Sequence, residues 1–155
     1  MIDLRLAGPA DRDPVATFLY ERMSSRISLE RWRRLFDYGW LEDKPRSVLD
    51  RLARSKHLWS RRVAMIATFH YIHRGGHRDA IRIATILVND THDLIHKAVG
   101  WMLREVDKRA SPAAMTTFLH RHAATMPRTM LRYAIERLPA TERKLWMGRA
   151  TQITK

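Results

Sequence analysis

The stretch DLIHKAVGWMLREVDKR, residues 93–109, decides how this chain folds. Its apolar residues recur at helical spacing over most of the helix surface, which predicts a helix over 94–108 packed among other helices. Positions separated by four, seven and eleven residues share the remaining face. That face carries Lys97, Trp101, Arg104 and Lys108.

This stripe of cations around an indole has two interpretations. Cationic side chains hold phosphate, and an indole stacks on a sugar or a base, so the stripe predicts a nucleic-acid contact. The alternative is that Trp101 belongs to the core and lysine stems pack over it. Gly100 is costly inside a helix, by roughly 1 kcal/mol relative to alanine, and indicates close approach of a neighbouring helix.

Helical patterns continue on both sides of this stretch. They predict helices over 47–54, 58–73, 79–88, 112–124, 127–138 and 139–147. Gly75-Gly76 is expected to end the second of these, while Ser111-Pro112 is expected to begin the fourth as a cap and first-turn proline, a device that Thr125-Met126-Pro127 repeats. Short helices with short turns, about 35 residues per pair, predict an all-α, HEAT-like α-solenoid of antiparallel helix pairs.

The charge is unevenly distributed along the chain. Residues 1–45 hold eight Lys/Arg and eight Asp/Glu, whereas residues 46–155 hold twenty-one and eight, so the net +13 lies in the second segment. A concentrated cationic excess predicts binding to a polyanion. The absence of cysteine excludes disulfides and thiolate metal sites, and no apolar run is long enough to span a membrane. We therefore expect a cytoplasmic protein with no metal, no cofactor and no membrane contact.

Other cations recur at helical spacing. On the second helix, Trp59 and Arg62 lie nearly one turn apart, and Arg61 and Arg62 cannot both face a core. Arg128 and Arg132 are also one turn apart. Because solenoids bind extended ligands on one side of their parallel helices, we expect these residues to extend the binding face.

The first 45 residues have a different pattern. Ile2 to Leu6 alternates like a short strand, two helical patterns follow over 10–23 and 28–41, and Pro45 ends the segment. We therefore predict two domains, 1–45 and 46–155. The end of a solenoid exposes an apolar flank, so we expect either that the N-terminal helices cover it or that the chain forms a homodimer there. The covering residues would be Phe18, Leu19, Trp32, Leu35 and Phe36.

Three stretches carry a family resemblance. They are SVLDRLARSKHLWSRRVAMIATFHYIHRGG (47–76), DLIHKAVGWMLREVDKR (93–109) and FLHRHAATMPRTMLRYAIERL (118–138), and they resemble the C-terminal half of the AlkD-type DNA alkylation-repair glycosylases. The resemblance implies HEAT-like repeats, duplex DNA in a basic concave groove, and cleavage of the glycosidic bond to an N-alkylated purine. It places Arg62 and Trp101 at the lesion site and gives Trp59, Lys97 and Arg104 supporting positions in the groove.

The segment that would supply the catalytic carboxylate departs from the family pattern. The family's tryptophan and aspartate, four positions apart, would precede Arg62 by about 35 residues, where this chain reads SSRISLERWRRLF (24–36). Such a carboxylate stabilises the oxocarbenium-like sugar as the base leaves. Glu30 and Asp37 are the nearest substitutes. We therefore predict a truncated DNA-binding protein that is weak or inactive as an N-glycosylase.

Residues 1–45 resemble the opening of a GNAT-type acetyltransferase. The matching stretches are IDLRLAGPADRD (2–13), VATFLYERM (15–23) and ISLERWRRLFDYGWLEDKP (27–45), but no pyrophosphate-binding loop follows them. The resemblance implies a fusion of two family fragments near Pro45-Arg46, without acetyl transfer. An alternative function for the whole chain is a non-catalytic interaction module, antitoxin-like or regulatory, whose basic groove neutralises an acidic protein partner.

Overall fold

The computed structural model describes residues 46–149. The chain divides into two units after Arg46, and the described helices belong to the second unit. The predicted strand at 2–6, the predicted helices over 10–23 and 28–41, and their proposed covering residues lie outside the described part. The described helices are α1 (Ser47–Ala53), α2 (Leu58–Ala67), α3 (Phe69–His73), α4 (Arg78–Leu87), α5 (Asp93–Arg109), α6 (Pro112–His122), α7 (Arg128–Ala134) and α8 (Ala140–Arg149).

All regular structure in residues 46–149 is helical, which confirms the predicted all-α helical-repeat fold. The helix over 94–108 is present almost residue for residue as α5. Around it, the core consists of fully buried aliphatic and methionine side chains from neighbouring helices, as expected of stacked repeats. The α5 members of this core are Ile95, Ala98, Val99, Met102, Leu103 and Val106.

Two of the predicted helix ends are confirmed. The Ser111 side chain accepts a hydrogen bond from the amide of Ala114 at 3.1 Å, with Pro112 in the first turn of α6. At the end of α3, Gly75 has φ +82° and the amide of Gly76 donates to the carbonyl of Tyr71 at 2.8 Å, as in a Schellman motif.

Two helix predictions were wrong in detail. The Thr125-Pro127 stretch does not repeat the Ser111 cap, because Pro127 itself is the cap residue of α7 and the Thr125 hydroxyl donates to the carbonyl of His122. The predicted helix over 58–73 is divided at Thr68. Its buried hydroxyl donates to the Met65 carbonyl at 2.7 Å, and this local bond competes with the regular helical pattern.

The central helix α5 packs against α2, α3, α4, α6 and α7, most extensively against α7. Gly100 accounts for the close packing of α5 against α7. A methyl group added at Gly100 would lie 2.5 Å from the carbonyl oxygen of Met130 and 2.5 Å from Cβ of Tyr133, both in α7. The glycine therefore permits the close approach that the sequence predicted.

Candidate nucleic-acid interface

Arg62 lies in the middle of α2 and reaches the neighbouring helix α5. Its guanidinium Nη1 donates to the main-chain carbonyl of Leu94, in the first turn of α5. Its Nε is buried and has no hydrogen-bond partner among the described residues. No carboxylate in residues 46–149 pairs with it, and burial lowers the pKa of Arg62 from its ordinary value. The site thus holds a half-buried positive charge that no acid in the described part of the chain neutralises.

Lys97 lies on α5, nearly one turn after Leu94, and contributes a second cation near Arg62. Its Nζ donates to Oδ2 of Asp93 at 2.7 Å. This hydrogen bond and the charge of Asp93 raise the pKa of Lys97, whereas the nearby charge of Arg62 opposes that rise. The same bond to Lys97 lowers the pKa of Asp93. Because Arg62 binds the carbonyl of Leu94, which precedes Lys97 by nearly one turn of the same helix, the two cations lie in one region of the surface.

Helix α7 packs against α5 close to this region, with its nearest approach at Gly100. Thr129 of α7 adds a smaller contribution to the lowered pKa of Asp93, and Tyr133 adds one to the raised pKa of Lys97. Three helices therefore contribute polar groups to one region, which we call the 62–97 site. Its members are Arg62, Asp93, Lys97, Thr129 and Tyr133.

The predicted stripe on α5 lies outside the core. Lys97, Trp101 and Arg104 are half-buried and Lys108 is exposed, while the α5 members of the core are fully buried. Trp101 packs at the edge of the core cluster and keeps part of its ring accessible. The packing of its indole against the core agrees with the second interpretation, while the nucleic-acid contact stays a prediction.

Arg104 is engaged within the fold. Its Nη1 binds the carboxylate of Glu136, a side chain that is 58% exposed, and its Nε lies 3.9 Å from Glu105. The guanidinium therefore links α5 to the segment that follows α7. Of the cations on the stripe, Arg104 is compensated by acids and Lys97 by Asp93, while Lys108 has no ion pair within the described residues.

The remaining predicted contacts differ in their surroundings. Arg128 is exposed and donates through Nη1 to the carbonyl of Met147 in α8 at 2.7 Å. Arg132 is exposed and has no hydrogen bond or ion pair within residues 46–149. Trp59 is half-buried in the first turn of α2. Within residues 46–149, no side-chain hydrogen bond or ion pair joins these three residues to the 62–97 site.

Arg61, which precedes Arg62, has a structural role that was not predicted from the sequence. Its Nε donates to Oδ2 of Asp90 at 2.6 Å, and its Nη1 donates to the carbonyls of Ser55 and Lys56. The side chains of Arg61 and Asp90 are 19% and 9% exposed. This pair fastens the turn before α2 to the turn before α5, so the two adjacent arginines differ sharply in their partners.

Sequence analysis also missed the polar partners of Lys97. Asp93 could have been recognised, because an acid four residues before a lysine on one helix face forms an ion pair. Thr129 and Tyr133 could not, since their proximity depends on how closely α7 approaches Gly100.

The described residues contain no group of three histidine or acidic side chains placed to hold a metal ion. No helix within the same residues combines the length and apolar character needed to cross a bilayer.

Fold and site together define an all-helical repeat protein with a cationic surface around a half-buried arginine. The sequence model of the DNA alkylation repair enzyme family matches residues 12–138. The chain therefore belongs to the DNA alkylation repair enzyme family, which confirms the resemblance noted over residues 46–155. No curated protein and no solved structure gives a significant match.

The family match changes the interpretation of the N-terminal segment. It begins at residue 12 and so covers most of the residues that resemble a GNAT-type acetyltransferase. Nothing in the comparisons supports that second resemblance or a fusion near Pro45. Glu30 and Asp37, the substitutes for the catalytic carboxylate, lie within the matched range but outside the residues that the structure describes.

Proposed function

We propose that this chain is a cytoplasmic DNA-binding protein of the alkylation-repair family that engages duplex DNA through the 62–97 site and the α5 stripe. The proposal includes weak or absent N-glycosylase activity on alkylated purines. Membership of the family supports a function in DNA repair. Beyond family membership, we propose that these residues bind DNA and do not excise a base.

The unpaired charge of Arg62 carries the proposal. Burying a guanidinium without a carboxylate costs free energy, so a fold does not gain stability from placing one there. The cost is offset when an external anion completes the site. A phosphate approaching Arg62 would also meet Lys97 and, one turn further, the accessible edge of Trp101. The half-buried position makes each such contact stronger than at a fully solvated lysine.

The test is the salt dependence of binding to a fluorescently labelled 20-base-pair duplex, measured by anisotropy with the full chain. For Arg62→Met and for Lys97→Gln we expect affinity about tenfold lower, and a slope of log K against log salt that is shallower by about 0.9 for each lost phosphate contact. The control is Arg51→Gln, which removes an exposed arginine from α1. Equal losses in the control and in the two site variants would refute the assignment of the interface.

The other arms of the experiment address catalysis and the rival function. Release of N-methylated purine from alkylated DNA should be undetectable or very slow. Release that disappears in Glu30→Gln or Asp37→Asn would instead identify a residual glycosylase and its acid. A chain that shows no salt-dependent DNA binding would refute the proposal in favour of the protein-interaction module.

A further inference from the structure

A second cationic region lies between α4 and α6. These helices pack against one another, and a surface pocket of about 370 Å³ lies between them. Among the described residues, five basic side chains and no acidic one line it. They are His77, Arg78, Arg82, Arg121 and His122. The pocket shares no residue with the 62–97 site, so the function proposed above does not account for it.

The arginines of the pocket fall into two classes. Arg82 is bound by the carboxylates of Asp50 and Asp79, so its charge is compensated. Arg78 and Arg121 are exposed, come from different helices, and have no ion pair within residues 46–149. Two uncompensated guanidinium groups on opposite walls of a pocket suit a phosphate, because each presents several donors in a planar fork.

The other polar groups point to the same pair of arginines as the donors. The hydroxyls of Thr85 and Thr117 donate to the carbonyls of Ile81 and Ala113, at 2.8 and 2.9 Å, so their single protons are already used. The side chain of His77 does not cap the first turn of α4. The first turn of α4 also holds the acid Asp79, so the two arginines, and not the start of the helix, are the donors that an anion would meet.

The size and apolar lining of the pocket indicate more than a bare phosphate. A volume of about 370 Å³ lies near the lower end for small-molecule sites, which is roughly 300 Å³, and exceeds many times the roughly 30 Å³ of one water. Ile81 and Ala114 add apolar surface, and the Phe118 ring lies 4.5 Å from that of His122. A suitable ligand joins an anionic group to a flat, weakly polar one.

We propose that the α4–α6 pocket binds one nucleotide unit, with its phosphate between Arg78 and Arg121 and its sugar and base beside Ile81 and His122. The unit comes either from a free nucleotide or from a nucleic-acid strand other than the duplex at the 62–97 site. The inference does not depend on the proposed function, because it uses none of the residues of that site.

The experiment is a titration of the isotopically labelled full chain with adenosine 5′-monophosphate, followed by NMR. We expect saturable shifts confined to the start of α4 and the end of α6. The dissociation constant should rise at least tenfold in Arg78→Gln/Arg121→Gln. It should stay within twofold in Arg51→Gln/Arg137→Gln, which removes the same charge from exposed positions.

Two further probes distinguish a free nucleotide from a nucleic-acid strand and test whether the apolar wall contributes to binding. A short single-stranded oligonucleotide without terminal phosphates that binds more tightly than the mononucleotide assigns the pocket to a strand; the reverse order assigns it to a free nucleotide. Inorganic phosphate binding as tightly as the mononucleotide would overturn the proposal, because the apolar wall would then contribute nothing. Shifts spread over the whole basic surface, or equal weakening in both double variants, would overturn it as well.

Discussion

The guanidinium of Arg62 in α2 donates to the main-chain carbonyl of Leu94 in the first turn of α5, and no acid in the described residues balances its charge. Its neighbour Arg61 has the opposite surroundings, because its Nε donates a hydrogen bond to Oδ2 of Asp90 at 2.6 Å. Adjacent residues of the same type therefore supply an internal comparison. The charge of Arg61 is compensated within the fold, whereas Nε of Arg62 is buried without a hydrogen-bond partner among residues 46–149.

The first prediction is that these two arginines separate stability from binding. Arg61→Met leaves the nearly buried carboxylate of Asp90 without its cation, and removing one partner of such a pair costs about 3 kcal/mol of unfolding free energy. Arg62→Met removes an uncompensated charge and should change that free energy by no more than about 1 kcal/mol, because relief of desolvation offsets the lost hydrogen bond. Urea denaturation measures both.

DNA binding should show the reverse order. At a temperature where both variants remain folded, Arg62→Met should bind duplex DNA about tenfold more weakly, by the loss of about 1.4 kcal/mol, while Arg61→Met should bind within twofold of the parent. A large loss of stability in Arg62→Met would show that the residue is structural, and the interpretation of its unpaired charge would then fail.

The second prediction concerns the contact between α5 and α7. Gly100→Ala places a methyl group 2.5 Å from the carbonyl oxygen of Met130, so α7 must shift. We expect net destabilisation of about 2 kcal/mol, because overpacking outweighs the roughly 1 kcal/mol that alanine gains by helix propensity. Gly148→Ala in α8 is the matched control. Its added methyl group meets nothing within 4 Å, so it should be neutral or stabilising in the same denaturation assay.

The fold could be predicted well from the sequence because its signals are local. The apolar periodicity of α5, the cap at Ser111 and the stop at Gly75-Gly76 each depend on residues a few positions apart. The two failures have the same origin. Thr68 and Thr125 both donate to nearby carbonyls, and whether such a bond forms depends on burial and chain direction that periodicity does not contain.

The candidate site was less predictable because it depends on pairing between helices. The spacing of Lys97, Trp101 and Arg104 predicted a shared face of α5, and all three are half-buried there. It contained no information on Glu136, which lies 32 residues from Arg104 and engages it. Nor could it distinguish Arg61 from Arg62, since that difference follows from the position of Asp90 in another turn. Long-range partners therefore determine which cations stay available for a ligand.

The third prediction follows from the bond between Lys97 and Asp93. Asp93→Asn removes the carboxylate that neutralises Lys97 and so leaves one more uncompensated cation at the 62–97 site. We expect duplex affinity to rise about threefold and the salt slope to steepen by up to about 0.9. The matched control is Glu142→Gln in α8, an exposed first-turn acid whose removal changes the net charge equally. An equal gain in the control would attribute the effect to net charge alone.

The fourth prediction concerns the pH dependence of stability through His122. Burial, reinforced by the charge of Arg121, lowers the pKa of His122 below its ordinary value of about 6.5. Above that value the ring is neutral in both folded and unfolded chains, so it contributes no difference. As the pH falls through about 6.5, the unfolded chain takes up a proton that the folded chain resists, and stability declines until the folded-state pKa is passed.

Replacement of His122 by a side chain that does not titrate should therefore flatten the decline in unfolding free energy between pH 7 and pH 5. His122→Gln and His122→Asn should flatten it equally, although they alter the contact with Phe118 differently. Urea denaturation across this pH range tests the effect for both variants against the parent. Variant curves parallel to that of the parent would mean that the folded chain protonates His122 as readily as the unfolded one, which would contradict a pKa lowered by burial.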